Sequence, residues 1–344
     1  MTARPRTASS SGATIFALLR AVASYGVDSA ALAKELGIDI AILREPATRV
    51  DGVLVAALMQ RAIALTGDQC IGFRFIDYVH PTTYHALGIG LFSSSCLRDF
   101  FVRLVRYYSL FTTNTEVDWE SARPDPRLVW RYSGPRIEPS VERVYVEGVM
   151  ALVIKFIRMT YRLDYEPCLV EFMWPSVTGR EQDYVRVFGR NLRYSSAVSA
   201  IYVAPEELDL ALPAANIDIA QHSDAAATRV LARIGDAEIV RRVNSALISL
   251  LSSGQCTKAA VAKALNMSVR TLYDRLADAG TTYQELLTGT RQELAERYIA
   301  DDQLSMSDAA YLLGFSDAAG FSRAFKRWTG QSPSHYRRDK STDT

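Results

Sequence analysis

The chain has 344 residues, 49% of them hydrophobic and 22% charged, enough apolar material for two cores. Its net charge of +1 excludes a globally basic nucleic-acid coat, and the parts before and after residue 236 are equally balanced. The four cysteines are scattered without a CxxC or Cys/His cluster, which argues against zinc or a redox pair.

Residues 1–13, "MTARPRTASSSGA", lack the apolar core of a signal peptide and read as a disordered start. Residues 14–66 carry three helical patterns. The first is stopped by Gly26, the second runs from an N-cap at Asp28 to Gly37, and the third runs from Asp51 to Gly67. "ALAKELGIDIAILREP" imitates a helix-turn-helix, but its second helix is cut by Pro46 and has no basic face. "CLRDFFVRLVRYYSLFTT" (96–113) reads as a strong helix with an apolar stripe of Leu97, Phe101, Leu104, Tyr108 and Phe111. "TEVDWES…PDPRLVWRYSG" alternates about a Pro-Asp-Pro turn, as a β-hairpin does. A long buried helix, "VERVYVEGVMALVIKFIRMTYRL", follows. Next come a strand in "CLVEFMWP", a short helix in "REQDYVRVFG" and a strand in "RYSSAVSAIYVAP". This order predicts an α+β domain over 14–235, with a linker near Gly235 and an all-helical domain over 236–344. The long apolar run carries Glu147, Lys155 and Arg158. No clean stretch of ~18 apolar residues exists, so a soluble, cytoplasmic protein without membrane contact is expected.

The C-terminal region contains a repeat. Leu265, Met267 and Ser268 match Leu313, Phe315 and Ser316 at an offset of 48; Leu272 and Leu276 match Phe321 and Phe325 at an offset of 49. Each copy reads as a small-residue helix, a turn closed by Asn266 or Gly314, and a second helix, which is helix-turn-helix logic. At ~100° per residue, Val269, Leu272 and Leu276 face inward in the first copy while Arg270, Asp274 and Ala277 face outward. In the second copy Phe321, Phe325 and Trp328 face inward, and Ala319, Arg323 and Lys326 outward. From 318 to 340 six basic residues oppose Asp339 alone. An exposed helix of this kind fits a major groove, where Arg bonds guanine O6 and N7 together. The flanking Lys326, Arg327, Arg337 and Arg338 suit phosphates. Residues 283–300 form a helical strut between the copies, ~27 Å long at ~1.5 Å per residue. That is near the ~34 Å between successive major-groove faces. Second helices over 268–278 and 317–328 are therefore expected to enter adjacent major grooves.

"AAYLLGFSDAAGFSRAFKRWTGQSPSHYRR" closely resembles the signature of the AraC/XylS family of bacterial regulators, and 236–344 resembles that family's twin helix-turn-helix domain. The resemblance implies base contacts from Arg270, Tyr273, Ala319 and Arg323. It implies structural roles for Gly314, Phe315, Phe325 and Pro333. Two positions depart from the pattern: Asp274, where relatives often carry Arg, and Gly320 inside a helix. Asp274 either accepts from a cytosine amino group or pairs with Arg270 one turn away.

Residues 14–215 resemble, less specifically, the arabinose-binding-type domain of ornithine-utilisation regulators. The carriers are "IGFRFIDYVHPTTYHALGIGLFSSSCLRDFFVRLVRYYSLF" and "YVRVFGRNLRYSSAVSAIYVAPEELDLALP". That resemblance implies effector sensing and dimerisation, with promoter DNA and RNA polymerase as macromolecular partners. Within this region Tyr84, Arg103, Tyr107 and Trp130 are candidate contacts for a small anionic or amphipathic effector. Core packing is the bland reading of the same aromatics.

An enzyme is the rival class. "GIGLFS" (88–93) imitates a nucleotide-binding GxGxxG, but Ser93 replaces the third glycine. The four histidines are not at metal spacing, no nucleophile motif appears, and no cofactor is expected. A DNA-binding scaffold that ignores metabolites is the second rival.

Overall fold

The structure, a computed structural model, describes residues 8–251, 256–300, 304–315 and 317–341. It divides into two compact units, 1–231 and 232–344, each with its own apolar core.

The first unit opens with β1 (Ser9–Ser11), α1 (Gly12–Ala23), α2 (Ser29–Glu35), β2 (Arg49–Asp51) and α3 (Gly52–Thr66). Asp28 and Asp51 cap α2 and α3 as their positions predict, each carboxylate accepting backbone N–H bonds from the first turn. The would-be reading helix after Gly37 is a single 3-10 turn, Ile40–Ile42. The start of the chain corrects the expectation of disorder up to residue 13. β1 pairs antiparallel with β2, and Ser10 is fully buried with its hydroxyl 2.6 Å from that of Tyr145. A serine run has no local reason to order. Here a partner strand and a distant tyrosine supply it.

Then come α4 (Ile71–Phe75), α5 (His85–Phe92), α6 (Leu97–Phe111), the hairpin β3 (Thr115–Glu120) and β4 (Arg127–Tyr132), and α7 (Pro139–Thr160). They are followed by β5 (Leu169–Glu171), α8 (Glu181–Phe188), β6 (Leu192–Arg193) and β7 (Ser199–Tyr202). The sheet order is β3-β4-β7-β5-β6, antiparallel except for the β5–β6 pair. Side-chain alternation places Leu128, Trp130, Val170 and Ile201 in the main core. Val129, Ala200 and Tyr202 form a small cluster of their own. α9 (Ile217–Leu251) begins in the first unit and ends in the second. The linker expected near Gly235 is therefore helical: a glycine in a helix interior costs only ~1 kcal/mol, which packing on either side outweighs.

α7 is buried on nearly every side, so it takes charges into the core with their partners. Arg143 donates to the Tyr184 hydroxyl (3.1 Å), and Tyr184 donates to Glu147 (2.6 Å). Burial pushes the Glu147 carboxyl up from 4.5 to about 7, against the opposing pull of Tyr184 and Arg143. The folded state thus holds a proton that the unfolded chain has released across that window, and this group's contribution to stability falls as pH rises through it. Tyr184→Phe removes the donor to the carboxylate and raises its folded pKa further. The expected loss is ~1.5–3 kcal/mol at pH 8, where the carboxyl is charged, and about half of that at pH 5. Urea unfolding of the full chain followed by tryptophan fluorescence checks this, since Trp119, Trp130 and Trp174 all lie in the first unit.

Candidate nucleic-acid interface

The second unit contains α10 (Lys258–Ala264), α11 (Val269–Asp278), α12 (Tyr283–Ala300), α13 (Met306–Leu312), α14 (Ala318–Thr329) and α15 (Pro333–Ser341). The repeat seen in the sequence is a repeat of local geometry. Thr257 and Ser305 cap α10 and α13 through equivalent hydroxyl acceptors. Asn266 and Gly314 close the turns with φ of 52° and 70°. That left-handed conformation suits glycine, and asparagine tolerates it. Phe315 N–H bonds the Ala310 carbonyl just as Met267 N–H bonds that of Ala262, each at 3.0 Å. The inserted residue falls after this turn. Ser268 caps α11, whereas Asp317, one position later than the repeat offset, caps α14. Ser316, the sequence match to Ser268, lies outside the described residues.

α14 buries Phe321, Ala324 and Phe325, and Phe315, Trp328 and Tyr336 pack against the same core. Phe315 lies 5.6 Å from Phe321, and Phe325 lies 5.3 Å from Tyr336 in an edge-to-face pair. Ala319, Arg323, Lys326 and Arg327 are exposed on the opposite side. α11 buries Leu272 and Leu276 and exposes Arg270, Tyr273 and Asp274; it also exposes Val269, which corrects the inward place expected for it, since the first residue of the helix lies beyond the packed turns. The Arg270 side chain is 92% exposed and stands 3.8 Å from the Asp274 carboxylate, which is 66% exposed. Such a contact is an ion pair without a hydrogen bond. Lys258 sits 5.4 Å over the ring of Tyr273.

Two arginines serve the framework instead. Arg291 of α12, which the sequence reading did not single out, donates to the carbonyls of Leu313 and Gly314 and stacks 5.0 Å over Phe315. It fixes the turn that aims α14. Only its position on the strut hinted at this, because the acceptors are backbone atoms. Arg337 donates to the carbonyls of Ile299 and Leu304, each at 2.8 Å. Its guanidinium thereby ties α15 to the end of α12. Arg338 is exposed.

In the first unit the four candidate effector contacts are each engaged by packing or by hydrogen bonds within the protein. Tyr84 is buried and accepts a hydrogen bond from Thr14. Trp130 is core. Arg103 forms a bidentate pair with Asp224 of α9 (2.8 and 3.3 Å) and also meets Asp99 and Ser94. Tyr107 donates to the Asp224 carbonyl. Arg103 and Tyr107 thus seat the start of α9 on α6. Gly88 of the "GIGLFS" segment lies inside α5, and a Cβ there would strike the Pro81 carbonyl, so this glycine serves packing. Among the described residues no group of three or more His, Cys, Asp or Glu is placed to hold a metal. None of the described helices is long and apolar enough to cross a membrane.

An all-helical unit with two capped helix-turn-helix elements, each presenting one polar helix face, defines a DNA-binding protein carrying a separate α+β domain. Comparison with known proteins agrees. The profile for the arabinose-binding domain of AraC transcription regulators, N-terminal, matches residues 26–212, and a helix-turn-helix domain profile matches 261–339. The chain belongs to the AraC family of transcriptional regulators. It is 28% identical to the ornithine utilization regulator of Pseudomonas aeruginosa over 93% of this chain and 94% of that protein. It is 39% identical to the regulator VirS of Mycobacterium tuberculosis over 30% of each chain. The crystal structure of the regulator CdpR from Pseudomonas aeruginosa aligns over 93% of this chain and 97% of that one, with 21% identity and a TM-score of 0.45. A helix-turn-helix domain binds DNA, and an N-terminal domain of this kind takes a small-molecule effector.

Gly320 sits in the first turn of α14, and a Cβ there would meet the Asp317 carboxylate at 3.4 Å, an ordinary contact. Gly320→Ala is expected to stabilise the second unit by ~0.5–1 kcal/mol by restricting the unfolded chain. The unfolding transition reported by Trp328, the one tryptophan of this unit, measures it.

Proposed function

We propose that α11 and α14 read adjacent major grooves of one promoter site and that an effector in the first unit governs this reading. The observation that carries the proposal is the repeated anchoring of α11 and α14. Each buries its apolar side and leaves a guanidinium, Arg270 or Arg323, on the other. Arg323 is the principal base reader, with Arg270, Tyr273 and Ala319 beside it. Lys326, Arg327 and Arg338 contact phosphates. α12, eighteen residues long, sets the spacing of the two readers. The chain works as a homodimer in the cytoplasm and acts on RNA polymerase at its promoter. A domain of about two hundred residues, with no catalytic constellation among its described residues and joined to a DNA reader, supports sensing and pairing.

An operator recovered by selection from random DNA provides the test. Arg323→Ala is expected to lose ~1–3 kcal/mol and to relax preference at one base pair. Lys326→Ala should weaken all sequences alike and lower the salt slope by about one. Equal operator binding by Arg323→Ala and parent at matched salt refutes the reader assignment. Sedimentation at micromolar concentration tests pairing, and a strictly monomeric chain refutes it.

Asp274 now has a nearer role than base reading. Its position 3.8 Å from Arg270 favours restraint of that guanidinium together with repulsion of phosphates. Asp274→Ala is therefore expected to bind non-specific DNA more tightly while keeping the parental base preferences. Loss of discrimination at a single cytosine would assign it to base reading instead.

A further inference from the structure

The first unit contains a cleft of about 590 Å³, bordered by the end of α1, α4, the last turns of α7, and α8. Its volume falls in the ~300–1,000 Å³ range of metabolite sites. Arg74, Lys155, Arg158, Arg180 and Arg186 border it, against Asp68 and Asp77. Asp183 stands just behind, so five cations face three carboxylates.

The pairing among these charges is specific. Arg74 takes Asp77 at 3.0 Å. Arg180 takes Asp68 and Asp183, each at 2.5 Å, and Arg186 takes Asp183 at 3.0 Å. Asp68 is further held by the Tyr25 hydroxyl and the Cys70 N–H. All three carboxylates are thereby used. Lys155 and Arg158 remain, three residues apart on one face of α7. Neither forms an ion pair with a described residue.

Lys155 donates to the carbonyls of Ile76 and Val79, and Arg158 to those of Tyr165 and Arg186. Tying down loop carbonyls is a structural job, but it does not use up the donors. An ammonium has three N–H bonds and a guanidinium five. One N–H of Lys155 and both on Nη2 of Arg158 have no acceptor among the described residues. Both side chains are half-buried, and burial pulls both pKa values down against the smaller opposing pull of Asp77 on Lys155 and of Glu166 on Arg158. Ile76, Ala151 and Val187 line the cleft beside them, with Met159 and Leu163 exposed at its rim.

We propose that this cleft binds a small carboxylate with a compact apolar body, its acid group between Lys155 and Arg158 and its body against Ile76, Ala151 and Val187. The carboxylate supplies acceptors in direct contact with both cations, where Asp77 and Glu166 act only from a distance. The proposal rests on the effector reading for its regulatory meaning but not for binding itself.

Calorimetric titration of the full chain at fixed ionic strength tests it. The probes are hexanoate, phenylacetate and glutarate, each beside its uncharged amide. At least one acid is expected to bind ten-fold or more tightly than its amide. Lys155→Gln and Arg158→Gln should each weaken that acid at least ten-fold, while Arg106→Gln, an exposed position of α6 outside the cleft, should not. Met159→Trp fills the rim while keeping both cations and their carbonyl bonds, so it separates blocked binding from lost folding; it too should weaken the acid ten-fold. The proposal is overturned if no acid exceeds its amide, or if Met159→Trp and the folded glutamine variants bind as the parent does. Operator affinity measured with and without the acid is a separate readout. An acid that binds but leaves operator affinity unchanged establishes the site and removes its role as effector.

Discussion

A helix in water must bury one side, and what its other side carries then becomes available. In α14 the buried side is Phe321 and Phe325, both fully enclosed, with Phe315, Trp328 and Tyr336 around them. Each phenyl ring contributes ~1.5–3 kcal/mol by leaving water. Nothing polar competes for that side, so the helix has one rotational setting. The 3.6-residue period then sends Arg323 and Lys326 outward. The cationic face is a by-product of aromatic anchoring, and the proposed reading of DNA depends on it.

Anchoring fixes the rotation of the helix but not its approach angle. The turn before it does that. Gly314 supplies the left-handed backbone, and Arg291 holds the Leu313 and Gly314 carbonyls from α12. The helix that spaces the two elements thus also sets the angle of the second. Arg337 closes the other end of α12 in the same way, through carbonyls rather than carboxylates. These two guanidinium groups serve as connectors of backbone.

The first unit solves the opposite problem. α7 has no free side over most of its length, so its charges need partners inside the protein. Arg143, Tyr184 and Glu147 form one chain of hydrogen bonds near its start. Near its end Lys155 and Arg158 find carbonyls only. The first set is closed and structural. The second is open and borders a cleft. Breaking one partner of a buried ionic set is costly, whereas an unfilled one invites a ligand of opposite charge.

Local chemistry alone determined much of this protein. The caps at Asp28, Asp51 and Ser268, the turn residues Asn266 and Gly314, the hairpin at 115–132 and, Val269 apart, the inward and outward faces of α11 and α14 follow from residues within a few positions of one another. The repeat was legible because both copies answer to the same local rules. What tertiary structure decided involves partners far apart in the chain. Ser10 orders against Tyr145, so a serine-rich start becomes a strand. Arg103 and Tyr107, plausible ligand contacts by composition, instead seat α9 through Asp224. Arg337, one cation in a basic run, turns inward to two carbonyls. Lys155 and Arg158, which in the sequence merely interrupt an apolar run, come to face a cleft with donors to spare. A periodicity records which side of a helix is buried, but not which carboxylate or carbonyl, a hundred residues away, will arrive to meet a charge.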